Sequence, residues 1–223
     1  MVPKISLLSS LLPIIFFILC CLKTRIRGFW VIFIYSIASL ISDVFLANSG
    51  WANDHKYFLW NIFTLVEYLL LSYFFYLTIK VRLIKWLIVL FSSLFLVLFI
   101  LLHKTIHYQY NSALSFISQV LILSWCLTYF ISKMKEPSDS VDIFNPEFLI
   151  VIALLLYIAC TLFLFIITSH LSEQEVNDYW RITNYGNILT NLLFSTAFLL
   201  YRFQHKKPTP ENHSVDFTSP NDR

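Results

Sequence analysis

The chain is 223 residues long, 58% hydrophobic and 13% charged, with a formal net charge of +3 and a mean hydropathy of +0.70. Soluble domains carry about a quarter charged residues, so water could not solvate this surface whereas lipid would, and the length leaves room for one helical bundle without a soluble domain of ordinary size. The cations fall between apolar runs instead of forming a patch, which removes the case for a nucleic-acid partner and makes them topology signals.

A bilayer core about 30 Å thick needs roughly 20 apolar residues per helix. The first candidate covers residues 5–22. Pro13 lies inside it and should kink it. A signal peptide is the competing reading, but the one early cation is Lys4 and the basic cluster Lys23, Arg25 and Arg27 follows the apolar run, a pattern that anchors a helix with its start outside. The second span, 29–47, ends with Ser42 and Asp43. The third, 57–79, carries Asn61, Thr64 and Glu67 and is followed by Lys80, Arg82 and Lys85. The fourth, 83–102, is strongly apolar, and the fifth, 113–131, contributes Ser118 and Gln119 before Lys133 and Lys135.

The sixth span, 148–168, has a marked start, with Asn145 as N-cap, Pro146 at the first helical position and Glu147 in the first turn. An acidic loop with His170, Glu173, Glu175 and Asp178 separates it from the seventh, 179–201. In that last span Trp180, Asn184, Asn187 and Asn191 are spaced by 4, 3 and 4, which places them on one helical stripe. Arg202, Lys206 and Lys207 follow, and residues 205–223 are polar and proline-bearing, as in a disordered cytoplasmic tail.

The resulting expectation is an all-α polytopic bundle of seven spans over residues 1–204. Strand alternation is absent, which excludes a β-barrel on pattern. Every second loop is basic, so the positive-inside rule puts the N-terminus outside and the tail in the cytoplasm.

Polar side chains at membrane depth face the bundle interior and mark sites or pathways. At 1.5 Å per residue, Asp43 sits roughly 6 Å inside the outer boundary and Glu67 about 15 Å deep. No lysine or arginine shares that depth with Glu67, so its carboxyl should be protonated or held by amide side chains. Asp43, Asn61, Gln119, Asn184 and Asn187 belong to the outer half, with Glu67 and Asn191 at its floor. Together they predict an outward-opening polar cavity framed by spans two, three, five and seven. Structural hydrogen bonding between helices is the competing reading for the asparagines.

Asn61 and Glu67 followed by the aromatic run Tyr73–Tyr76, the stretch from Leu156 that includes Tyr157, Cys160 and Thr161, and the asparagine-bearing last helix together resemble small seven-helix proteins common in Bacteroidota. That resemblance implies the topology and a bacterial inner membrane. The segment Ser39-Leu40-Ile41-Ser42-Asp43-Val44-Phe45-Leu46 is similar to the Ser-Leu-x-Gly-Asp-x-x-Leu segment of lysoplasmalogenase-like membrane hydrolases. Here Ser42 stands at the glycine, the segment falls one span early, and the histidine motif that follows in that family is missing.

The last span offers no lysine for a retinal Schiff base and no histidine pair for a zinc amide hydrolase. His103 and His107 share an i, i+4 spacing at a membrane edge without an acidic neighbour, so neither metal nor cofactor is expected. The leading expectation is a sensor or receptor-like module. Its outer cavity, lined by Asn61, Gln119, Trp180, Asn184, Asn187 and Asn191, would bind a small molecule, and its basic loops would meet a cytoplasmic signalling partner. The alternatives are a lipid hydrolase using Asp43 and Glu67 as an acid–base pair, or a proton, cation or small-solute conductor using the same carboxyls.

Overall fold

A computed structural model describes residues 2–47, 53–102, 112–135, 145–168 and 173–205, the side chains at several helix ends excepted. Within these residues the regular structure is helical throughout and strands are absent. The helices are α1 (Val2–Ser9), α2 (Leu11–Cys21), α3 (Arg27–Ala47), α4 (Asn53–Thr78), α5 (Arg82–Leu101), α6 (Ser112–Met134), α7 (Pro146–Thr168) and α8 (Glu173–His205).

α1 and α2 form one bent rod, which makes seven rods among the described residues. Ser10 at the joint keeps helical angles and its N–H still reaches Ser6 O at 3.2 Å. Pro13, with no N–H to give, falls three residues later, and its ring crowds the carbonyl of Ser9. The predicted kink lies there. The start of α7 is equally legible, since Asn145 Oδ1 accepts the Glu147 N–H at 2.9 Å, the N-cap that the spacing predicts.

Several helices outrun the apolar windows. α4 starts at Asn53 and α8 covers 33 residues, about 50 Å. Polar residues extend a helix into the interface without adding hydropathy. Residues 206–223 of the expected tail lie outside the described residues, as do His103, His107 and His170.

The rods close into a ring. α2 packs on α3, α3 on α4, α4 on α6, α6 on α7, α7 on α8, and α8 returns to α1 and α2. α5 stands outside it against α4, with only Ile88 and Phe95 fully covered. Two glycines allow close approach within the ring. A Cβ at Gly28 would stand 3.4 Å from the Phe74 ring, and one at Gly186 would stand 3.4 Å from Cys160 Cβ, the small-residue packing that lets membrane helices touch.

One end of the ring is filled with rings. Phe17 stacks on Phe33 at 4.3 Å and meets Phe198 edge-on at 5.3 Å, while Phe29 meets Tyr201 at 5.0 Å. Thr24 Oγ1 donates to Tyr201 Oη at 2.9 Å, and Arg202 donates to Leu19 O at 2.9 Å. This end carries Lys23, Arg25 and Arg27. The opposite end holds most of the buried polar side chains.

Outside, the surface is apolar almost without break. Leu8 is 67% exposed, Trp86 67% and Leu101 76%. Contiguous apolar surface of this extent is not sustained in water, and among the described residues five helices are long and apolar enough to cross a membrane. The chain is a helical membrane protein.

Candidate functional site

The face of α4 that turns inward repeats at helical spacing, with Asn61, Thr64, Glu67, Tyr68, Leu71 and Ser72 all buried. Its polar members fall toward the start of the helix and its apolar members toward the end. α6 meets it with Ser115, Ser118 and Gln119, and Thr64 Oγ1 lies 3.3 Å from Ser115 Oγ across the contact. The hydroxyls of Thr64 and Ser118 also reach backbone carbonyls on their own helices at 3.1 and 2.7 Å, so these two are satisfied within the protein.

Glu67 is the centre of this layer and only 4% exposed. Tyr35 of α3 donates its phenol to Oε1 at 3.1 Å, and Gln119 Nε2 of α6 donates to Oε2 at 3.5 Å. Tyr157 of α7 presents its phenol to the same carboxyl. The amide oxygen of Gln119 is in turn 3.4 Å from Thr161 Oγ1, whose single proton is shared with Ile158 O at 3.0 Å and Tyr157 O at 3.1 Å. Side chains from three other helices therefore converge on one carboxyl group. An unpaired charge at this depth costs several kcal/mol, roughly 3 on insertion scales. The surrounding donors offset that cost without a basic partner.

Asp43 lies in a second group. Asn191 Nδ2 donates to Ser9 Oγ at 3.0 Å and to Ser10 Oγ at 3.4 Å, and Ser10 Oγ donates to Asp43 Oδ2 at 3.3 Å. The last helix, the bent first rod and α3 are joined here, at the level where Pro13 breaks the first rod. Tyr35 belongs to the first of these groups. It bonds Glu67, its ring faces Phe194 of α8 at 6.3 Å, and Asp43 is near enough to act on it electrostatically.

The residues named from the sequence are thus divided. Gln119 bonds Glu67, and Asn61 is completely buried on the same face of α4, about 9 Å nearer its start. Asn191 belongs to Asp43 and bonds the first rod. Asn184 and Asn187 are half-buried on α8, and the side chains of Trp180, Glu173, Glu175 and Asp178 lie outside those described.

Sequence reasoning missed Tyr35, Tyr157, Thr161, Ser9 and Ser10. Hydroxyls in apolar helices carry little weight in hydropathy, because serine and threonine can bond their own backbone. The sixth span, which was not among those expected to frame the cavity, supplies two of these groups. The detectable signal was Tyr157 and Thr161 at i, i+4 on one helical face.

Among the described residues, histidine, cysteine, aspartate and glutamate nowhere gather in the threes that hold a metal. Family models, curated proteins and solved structures offer no match to this chain.

Proposed function

We propose that this is a multi-pass protein of a bacterial inner membrane, oriented with its polar end outward, that receives a small hydrogen-bonding solute at the Glu67 layer and signals to a cytoplasmic partner. The observation that carries this reading is the convergence of Tyr35, Gln119 and Tyr157 on the buried Glu67 carboxyl, above an aromatic plug at the basic end. Such a layer can exchange its internal hydrogen bonds for those of a ligand rich in donors, an amine or a polyol. The plug opposes passage through the ring, which favours reception over transport. The basic loops Lys23–Arg27 and Lys80–Lys85 would then form the surface for the partner, because the described helices account for no output domain.

The test is thermal unfolding of detergent-purified protein against a panel of small amines and polyols. One class should raise Tm by a few degrees, the size expected for a ligand present well above its Kd. Glu67→Gln and Gln119→Leu should each remove the shift. A panel without effect, or a shift that survives both substitutions, would sink the proposal.

A second reading has one observation of its own. Tyr35 bonds Glu67 and feels the charge of Asp43, a coupling that suits a proton relay. Liposomes containing the protein would then acidify under a pH gradient and cease to do so with Tyr35→Phe. The hydrolase reading has no comparable support, since the two carboxyls bind separate sets of partners.

A further inference from the structure

The joint of the first rod holds more hydrogen-bond acceptors than donors. Pro13 has no N–H for the carbonyl of Ser9, its partner in a regular helix. The hydroxyls of Ser9 and Ser10 are buried there, and Asp43 of α3 and Asn191 of α8 are half-buried against them. Every polar hydrogen of these four side chains is committed. Ser9 Oγ donates to Ser6 O at 2.6 Å and Ser10 Oγ to Asp43 Oδ2 at 3.3 Å. The amide of Asn191 donates to Ser9 Oγ at 3.0 Å and to Ser10 Oγ at 3.4 Å. Asp43 Oδ1, Asn191 Oδ1 and the Ser9 carbonyl are left without a donor among the described residues. Nor does Asp43 meet a lysine or arginine among the described side chains, although a carboxylate inside a membrane span calls for a compensating charge.

We propose that this joint binds one sodium ion, held by the Asp43 carboxylate, the Ser10 hydroxyl, the Asn191 amide oxygen and the Ser9 carbonyl. One carboxylate among neutral oxygens suits a hard alkali cation and not a transition metal. A single positive charge balances Asp43, whereas a divalent ion would leave a net charge within the membrane. The spacing fits, because ligand oxygens about 2.4 Å from a cation stand about 3.4 Å from one another, and Asp43 Oδ2 and Ser10 Oγ are 3.3 Å apart. Ser10 can release its lone pairs to the ion by turning its proton to Ser6 O, also 3.3 Å away. A half-turn of the Asn191 amide puts its oxygen where its nitrogen stands. Carbonyls freed at breaks in membrane helices serve sodium in this way. The ion would tie the bent first rod to α3 and α8, and its site is independent of the Glu67 layer and of any solute bound there.

Equilibrium binding of radiolabelled sodium to the full chain in detergent, with choline as the balancing cation, tests it. One sodium should be retained per protein, displaced by unlabelled sodium and not by an equal concentration of calcium. Asp43→Asn should abolish retention while the helical circular dichroism is kept. Pro13→Ala, which restores an N–H for the Ser9 carbonyl and favours the helix, should weaken binding about tenfold or more without loss of fold. Glu67→Gln should still retain one sodium, which separates this site from the solute layer. No stoichiometric sodium, equal displacement by calcium, undiminished retention by the Asp43→Asn or Pro13→Ala protein, or loss of retention with Glu67→Gln would overturn the proposal.

Discussion

Glu67 is the residue on which the proposed function rests. Its depth follows from counting along the third span, and its inward direction from the repeat Asn61, Thr64, Glu67. Its partners do not follow, because Tyr35, Gln119 and Tyr157 come from three other helices and are separated from it in sequence by 32, 52 and 90 residues. If the layer is a connected unit, Tyr35→Phe and Glu67→Gln should not be additive. A double-mutant cycle on thermal or denaturant stability should give a coupling of about 0.6–1.7 kcal/mol, the range of hydrogen bonds between membrane helices. Additive losses would mean that the carboxyl is held by its other donors and that Tyr35 serves only the aromatic packing. Asn145 shows the opposite case. Its cap was legible because donor and acceptor are two residues apart, and local chemistry of that kind needs no tertiary knowledge.

At the scale of elements, the helices were readable from apolar length and their ends from loops rich in cations. What single spans did not reveal was which of them are structural neighbours. The fourth and sixth spans are both strongly apolar, yet α5 leans on the outside of α4 whereas α7 is built into the ring between α6 and α8. The difference lies in small surface details such as Gly186 against Cys160, which hydropathy does not register. Gly186→Ala should be tolerated, since its Cβ would stand at ordinary contact distance. Gly186→Leu should force α8 from α7 and lower stability by about 1–3 kcal/mol, measured as the loss of Tm in detergent. Equal tolerance of the two would show that the interface is looser than its geometry. The bent first rod is a mixed case, because Pro13 announced the kink but not that Ser9 and Ser10 at the bend would receive Asn191.

Over the whole molecule, the alternation of basic and non-basic loops sets the expected orientation. A fluorescent protein fused after Lys207 should be bright, and an alkaline phosphatase inserted within residues 103–111 should be active, because the first would lie in the cytoplasm and the second outside it. The reverse pattern would turn the polar end inward and remove the outward-facing site. The ring itself adds an asymmetry that no loop carries. Aromatic side chains fill the basic end and hydrogen-bonding side chains the other.

From residues alone, the chain was determined to be a helical membrane protein with its polar side chains gathered toward one end, because hydrophobic length and charge placement are properties of consecutive residues that a bilayer reads directly. Only the tertiary structure decided that the polar residues form two groups, one around Glu67 that includes Tyr35 and one around Asp43. The reason is that within lipid every polar group must find its partner inside the protein, and which partner it finds depends on how the rods close into a ring, a contact between residues far apart in sequence.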